Sequence, residues 1–160
     1  MLAFDLPLLS TTRPIVNLYD FTAMLDTGAG IPTFYMPVEI VLKLFGGKQI
    51  GITQVKGASG DTADAVICRI EHFDVGNVSF RNIPVVVCED ENAVKNVECD
   101  ILLGSNLWGE GSTLTIYYGD RHVTCDLPES SLEKNKLWYY REDRWRCLDF
   151  SEKLSTWVIE

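Results

Sequence analysis

The sequence has few basic residues, few histidines and no long apolar run. Its 160 residues include 14 Lys and Arg against 23 Asp and Glu, which gives a net charge of −9. A charge of this sign repels phosphate backbones and argues against nucleic acid as the main partner. No apolar run approaches the roughly 20 residues that span a bilayer, and Met1 to Asp5 lack the basic segment of a secretory signal. We therefore expect a soluble, cytoplasmic protein that binds neither nucleic acid nor membrane.

Cysteine is present, but not in the patterns that bind metal or build a disulfide scaffold. The five cysteines are scattered without a C-x-x-C pair, and His72, which follows Cys68 by four positions, has no second ligand pair after it. Zinc needs clustered ligands, and small secreted scaffolds are denser in cysteine. The sequence therefore predicts buried, reduced thiols, with no metal site and no cofactor.

Length and composition indicate one globular domain with an extension. Hydrophobic residues at 46% and charged residues at 23% exclude wholesale disorder. The domain is expected at 1–127. Residues 128–160 interleave aromatic and basic residues, a pattern that can stack nucleobases, but acidic residues dilute the charge there. We expect this extension to form a hairpin that packs on the body of the domain or at a dimer interface.

The chain is organised around Asp26. Ile15 to Leu25 predict two short strands around a turn at Tyr19-Asp20, and the second strand leads into Asp26 and a glycine-rich turn. Burying an ionised Asp costs several kcal/mol unless hydrogen bonds or a shared proton compensate it. Asp26 is therefore either a carboxylate that caps the turn through its own side chain or a functional group.

One helix is expected after a short buried strand at 31–36. Pro37 suits the first helical turn, and Gly46-Gly47 supply the left-handed conformation that ends the helix, which predicts Val38 to Phe45. Its apolar face is predicted to comprise Ile40, Val41, Leu44 and Phe45.

The residues at 54–64 are small, polar and bracketed by glycines, so they predict a mobile hairpin tip.

A second apolar run, Ile101 to Leu103, ends at Gly104. The other expectations are, in chain order, a strand at 65–73, a turn at 74–77, returning strands at 78–80 and 83–88, a solvated acidic loop at 89–98, and a hairpin at 113–127.

Two motifs, taken in order, resemble the retropepsin-like aspartic proteases. Leu25-Asp26-Thr27-Gly28-Ala29 matches the apolar-D-T/S-G-A motif of that family, and Ile101-Leu102-Leu103-Gly104 matches its apolar-apolar-Gly motif. The resemblance covers roughly residues 14–127, and the helix after the active-site strand is similar to the cellular and bacterial branches, such as the DNA-damage-inducible family. It implies a mainly β fold: a single-domain closed barrel with one helix after the active-site strand and a flap hairpin.

The resemblance implies an aspartic endopeptidase that acts as a homodimer on peptide or protein substrates. Asp26, Thr27 and Gly28 are the catalytic candidates. Two copies of Asp26 would hold one water and share one proton, so that the pair acts as general base and general acid. Thr27 would bond across the dimer, and Gly28 would offer its carbonyl to the substrate.

Substrate binding is implied for residues beside the motifs and at the flap, namely Ala29, Gly57, Ala58, Ser59, Gly60, Asp61, Leu103 and Gly104. Pocket specificity depends on which of Ile31, Phe34, Val55, Val66, Val85 and Leu103 face the cleft.

The match to the family has two departures. Gly30 stands where many members have a polar residue, and the flap lacks an aromatic residue. Two alternatives stay open: a non-catalytic module of the same fold that binds an extended peptide or protein partner, and an unrelated β-barrel in which the motif is only a turn.

Overall fold

The computed structural model of the chain describes residues 2–26, 31–56, 60–76, 78–104, 107, 113–127, 136–141, 144–151 and 156–159. These ranges contain two helices, α1 Val38–Phe45 and α2 Glu91–Asn96. They also contain the strands β1 Leu2–Pro7, β2 Ile15–Leu18, β3 Phe21–Leu25, β4 Thr33–Phe34, β5 Lys48–Lys56, β6 Thr62–Val75, β7 Val78–Val87, β8 Ile101–Leu103, β9 Thr113–Tyr117, β10 His122–Leu127, β11 Lys136–Arg141, β12 Arg144–Ser151 and β13 Thr156–Ile159.

The main sheet has seven strands in the order β2-β3-β8-β4-β7-β6-β5. Two of its pairs are parallel, β3 with β8 and β4 with β7, and the others are antiparallel. Two antiparallel three-stranded sheets accompany it, β1-β10-β9 and β11-β12-β13. The parallel pairs matter for function, because they bring together segments that are far apart in sequence.

The main sheet is not closed into the barrel that the sequence predicted. Closure requires the two end strands to share hydrogen bonds, but β2 and β5 are not paired with each other in the described part of the chain. Instead, β5 and β6 extend as a long hairpin whose last pair is Lys56 with Thr62. At the opposite edge of the main sheet, an isolated β-bridge joins Val16 of β2 to Leu8.

An aromatic cluster holds α1 against the sheet. The helix has the bounds that the sequence predicted, and Gly46 and Gly47 follow it with φ values of +71° and +105°. The ring of Phe45 lies 5.1, 5.2 and 5.6 Å from the rings of Tyr19, Phe34 and Phe73. Such edge-to-face contacts add to the stabilisation from burial.

The buried face of α1 differs from the predicted one. Val41 and Phe45 are buried, but Ile40 and Leu44 are 41% and 46% exposed. Val38 and Leu42 pack partly against the core instead. Positions 38, 41, 42 and 45 form one helical stripe, and in a helix with six apolar residues of eight the pattern alone does not select between neighbouring stripes.

A second helix, α2, replaces part of the predicted acidic loop. The Asp90 side chain accepts a hydrogen bond from the Ala93 N–H at 2.9 Å, which caps the first turn. Glu91 lies in the first turn and Lys95 in the last, so each charge interacts favourably with the helix dipole at its end. The expectation of one helix was therefore wrong.

The remaining strands follow the sequence in part. β4 covers only two residues of the strand expected at 31–36, and β5 and β6 extend from both sides into the tip expected at 54–64. The hairpin expected at 113–127 is present as β9 and β10, and the hairpin expected in the extension is present as β11 and β12, with β13 added. β6 and β7 are longer than predicted, because β6 continues through Asp74 to Val75 and β7 has no break at Arg81-Asn82. No helix in the described ranges combines the length and apolar character of a membrane span.

The described cysteine side chains are buried, free thiols, as predicted: Cys68, Cys88, Cys99 and Cys125. Burial raises the pKa of Cys68 to about 11, assisted by the charge of Glu89. Burial likewise raises the pKa of Cys125 to about 12, assisted by Asp126. Both groups are therefore neutral thiols at physiological pH.

We expect the fold to lose stability as the pH rises above about 9. An unfolded thiol releases its proton near pH 8.5, whereas folded Cys125 holds its proton until about pH 12. The stabilisation is therefore complete below pH 8.5 and disappears as the pH rises through the folded pKa. Urea unfolding between pH 8 and 11 measures this, and Cys125→Ala should make the decline shallower. An unfolding free energy that is constant over this range would contradict the prediction.

Candidate active site

Asp26 lies where the two sequence motifs meet. It directly follows β3 and is partly buried. β3 runs parallel to β8, with Leu25 opposite Leu103, and the Asp26 N–H donates to the Leu103 carbonyl at 3.1 Å. The carboxylate-bearing residue is therefore fixed by backbone bonding to the end of the second motif.

Gly104 lets the chain at Ile31 pack closely against the place where Asp26 meets Leu103. We call this meeting point the junction. Gly104 is buried, and a β-carbon at this position would lie 2.6 Å from the carbonyl carbon of Ile31 and 2.8 Å from the Ile31 nitrogen and oxygen. No side chain fits at such distances, so glycine is required there for space. The ends of β3 and β8 thereby meet the chain that enters β4.

Asp100 links β8 to β3 at the end of these strands that is opposite to Asp26. The Asp100 carboxylate accepts hydrogen bonds from the Thr22 N–H at 3.0 Å and the Thr22 hydroxyl at 3.3 Å. Its own N–H donates to the Thr22 carbonyl at 3.0 Å, and its carbonyl accepts from the Tyr35 N–H at 2.8 Å. Asp100 thus sets the register of β8 against β3 and the start of the segment after β4. Sequence reasoning missed it; the available signal was a carboxylate placed directly before an apolar run.

Tyr35 supplies a neutral hydroxyl on the Asp26 side of the junction. Burial raises the pKa of Tyr35 above its ordinary value, and the charges of Cys88, Cys99 and Asp26 raise it further. The hydroxyl therefore stays protonated over the whole physiological range and can donate a hydrogen bond. Sequence reasoning treated this residue only as part of a buried strand.

A second, smaller apolar cluster lies beside the β5–β6 hairpin and is distinct from the main core. Its buried members are Ala65, Val86 and Cys88, and Ile31, Tyr35, Val55, Ala63 and Ala93 pack against them. Val55 and Ala63 are opposite each other in the hairpin, so their side chains share one face. That face of the hairpin packs against the same buried residues as Ile31 and Tyr35. Since Ile31 adjoins Gly104, we refer to this face as the one on the Asp26 side.

The six residues considered for pocket specificity divide between two regions. Ile31 and Val55 belong to the cluster on the Asp26 side. Phe34, Val85 and Leu103 are 0% exposed in the main core. Val66 also packs against that core. Leu103 therefore contributes to the junction through its backbone carbonyl, since its side chain is enclosed.

The other predicted site residues fall in two groups. Thr27, Gly28 and Ala29 of the first motif, and Gly57, Ala58 and Ser59 of the hairpin tip, lie outside the described residues. Gly60 and Asp61, on the described side of the tip, are exposed, and Gly60 has a φ of +89°.

Comparison with known proteins identifies the family. The sequence model of the aspartyl protease family matches residues 15–107, which is more than half of the 160 residues and includes Asp26 and Gly104. The chain belongs to the aspartyl protease family. No match was found among curated proteins or among solved structures.

Gly104→Ala should destabilise the protein by at least about 2 kcal/mol, because the added methyl group must displace the backbone at Ile31. Gly119→Ala is the matched control, since a β-carbon there meets nothing within 4 Å, and its effect should stay within about 0.5 kcal/mol. Chemical denaturation of both variants measures the difference. Equal stability of the two variants would show that the junction is not tightly packed.

Proposed function

We propose that the protein is an aspartic endopeptidase whose active unit is a homodimer with one Asp26 from each chain in a single catalytic site. One observation carries the proposal: Asp26 of the first motif meets Leu103 of the second, and the Asp26 N–H is bonded to the Leu103 carbonyl. Each chain offers one such carboxylate at the junction, so two chains are needed for a pair.

The pair would work through a shared proton. Two carboxylates a few ångströms apart cannot both ionise cheaply, so the pair holds one proton over a range of pH. The ionised Asp26 removes a proton from a water molecule, which attacks the peptide carbonyl carbon, while the protonated Asp26 donates to the carbonyl oxygen. The tetrahedral intermediate collapses when the Asp26 that took the proton from water gives it to the leaving amine, while the other Asp26 takes a proton back from the hydroxyl of the intermediate, which restores the starting pair. No covalent intermediate forms, so the buried cysteines have no catalytic role.

The remaining motif residues would support that pair. We assign to Thr27 a hydrogen bond across the dimer axis and to Gly28 and Ala29 the close approach of the substrate backbone. The β5–β6 hairpin, with its tip at 57–61, is the proposed flap. It would hold an extended peptide by strand-like hydrogen bonds and exclude water during the reaction.

The apolar cluster supports a preference for aliphatic side chains beside the cleaved bond. Ile31 and Val55 are partly buried and lie on the Asp26 side of the hairpin, so a substrate side chain that covers them gains burial of apolar surface. The position of α1, after the segment that follows Asp26, supports a place in the branch that resembles the DNA-damage-inducible family.

Asp26→Asn should abolish peptide hydrolysis, by about 10⁴-fold or more, without changing the fold or the dimer, because the amide cannot take the proton from water. Asp20→Asn is the control: it makes the same change at an exposed turn residue before β3 and should leave activity unaltered. Cleavage of a peptide library, followed by mass spectrometry, measures both. Unchanged cleavage by Asp26→Asn would refute the catalytic role. Peptide binding without turnover in the unmodified protein would favour a non-catalytic module.

Dimerisation should strengthen with added salt. Each chain carries −9, so the dimer carries twice that charge, about −18, and the repulsion between the chains is screened at higher ionic strength. Sedimentation velocity at 20 and 300 mM NaCl gives the dissociation constant in each case. A dimer that weakens steadily with salt, or a chain that stays monomeric at working concentrations, would contradict the proposal.

A further inference from the structure

The β5–β6 hairpin has a second face, which borders an open groove of about 970 Å³. Ile52 pairs with Val66 and Gln54 pairs with Asp64, whereas Val55 pairs with Ala63. Since successive side chains of a strand point to opposite faces, Ile52 and Gln54 lie opposite to Val55, which is on the Asp26 side. We name this space, bounded by the hairpin, Val87 and the start of α1, the outer groove.

The floor of the outer groove is aliphatic. Val87 is buried at its base, and Val66 and Val38 are partly buried beside it. Ile52 lies at the margin with 82% of its surface exposed, the largest value among the exposed large apolar side chains of the described residues. An aliphatic side chain that enters the groove would cover this surface and remove it from water.

Three carboxylates also line the outer groove, and none of the described lining residues is basic. Each carboxylate is held by one hydrogen bond: Asp64 accepts from the Gln54 side chain at 3.2 Å, Asp90 accepts from the Ala93 N–H, and Glu89 accepts from the Val38 N–H. The groove is complementary to an aliphatic segment that carries positive charge.

The position of β5 favours an occupant with an extended backbone. β5 is the last strand of the main sheet and pairs only with β6 within the described part of the chain. Its other edge therefore presents backbone N–H and C=O groups to an added strand. Strands lie about 4.8 Å apart, so lysine side chains on a strand beside β5 can extend past Ile52 toward Asp64.

We infer that the outer groove is a docking site for an extended segment of a partner protein whose groove-facing side chains, at every second position, are aliphatic residues and Lys or Arg in turn. A second copy of this chain fits less well, because its net charge of −9 opposes the three carboxylates. The inference does not rest on the proposed catalysis, since it needs neither Asp26 nor a dimer.

The test is a binding measurement on the full chain. The probe is a fluorescein-labelled peptide of nine residues, equal in length to β5, with lysine at positions 1, 5 and 9, valine at positions 3 and 7 and serine between them, so that lysine and valine share one face of the strand. Fluorescence anisotropy at low salt follows its binding. A peptide with glutamate in place of lysine should bind at least tenfold more weakly. Ile52→Ser should weaken binding of the lysine peptide by about tenfold, and Asp64→Asn by about threefold. Both side chains are exposed, so neither change should affect folding, which circular dichroism verifies.

Two control variants distinguish binding in the outer groove from general charge attraction and from binding at Asp26. Asp120→Asn removes the same charge from an exposed turn between β9 and β10 and should leave the affinity unchanged. Asp26→Asn should also bind normally and keeps the peptide intact if the protein cleaves it. The inference is overturned if Asp120→Asn weakens binding as much as Asp64→Asn, which would indicate general charge attraction. It is equally overturned if Ile52→Ser has no effect while Val55→Ser does, which would place the peptide on the Asp26 side.

Discussion

The contact between the backbones of Gly104 and Ile31 is the constraint on which the candidate site depends. It leaves no room for a β-carbon, and it brings the end of β8 against the chain that enters β4. The parallel pairing of β3 with β8 then places Asp26 beside the same point, with its N–H bonded to the Leu103 carbonyl. At the far end of these strands, Asp100 bonds to Thr22 and fixes their register. A shift of one residue would turn every side chain of β3 to the opposite face, so these backbone contacts determine where the Asp26 carboxylate lies.

The hairpin of β5 and β6 gives the molecule two distinct surfaces. One face carries Val55 and Ala63, which pack against the same apolar cluster as Ile31 and Tyr35. The opposite face carries Ile52 and lines the outer groove with its carboxylates. Within the described residues, the hairpin is paired to the rest of the sheet through β6. The proposed docking in the outer groove and the proposed cleavage at Asp26 would therefore involve the same hairpin.

Local signals in the sequence predicted local structure well. The hairpin that leads to Asp26 and the helix Val38–Phe45 were predicted because turn residues, a helix-starting proline and two helix-ending glycines act over short distances. The buried stripe of α1 was predicted only in part: Val41 and Phe45 are buried, but Ile40 and Leu44 are not, since the choice between neighbouring stripes depends on which side the sheet covers. The open sheet, the bonding of Asp100 to Thr22 and the place of Tyr35 near Asp26 all depend on contacts between segments far apart in sequence. The roles of Thr27, Gly28 and Ala29, and of the hairpin tip, remain predictions.

The central claim is that one chain provides half of an active site, and mixing two kinds of chain tests it most directly. Unmodified chains and Asp26→Asn chains, refolded together in equal amounts, should form dimers at random. Only about a quarter of those dimers carry two Asp26 carboxylates, and a mixed dimer lacks the shared proton. The expected result is that activity falls to about one quarter of the value for the same total amount of unmodified chain. A fall to about one half, in proportion to the unmodified chain present, would show that each chain contains a complete site and would contradict the claim.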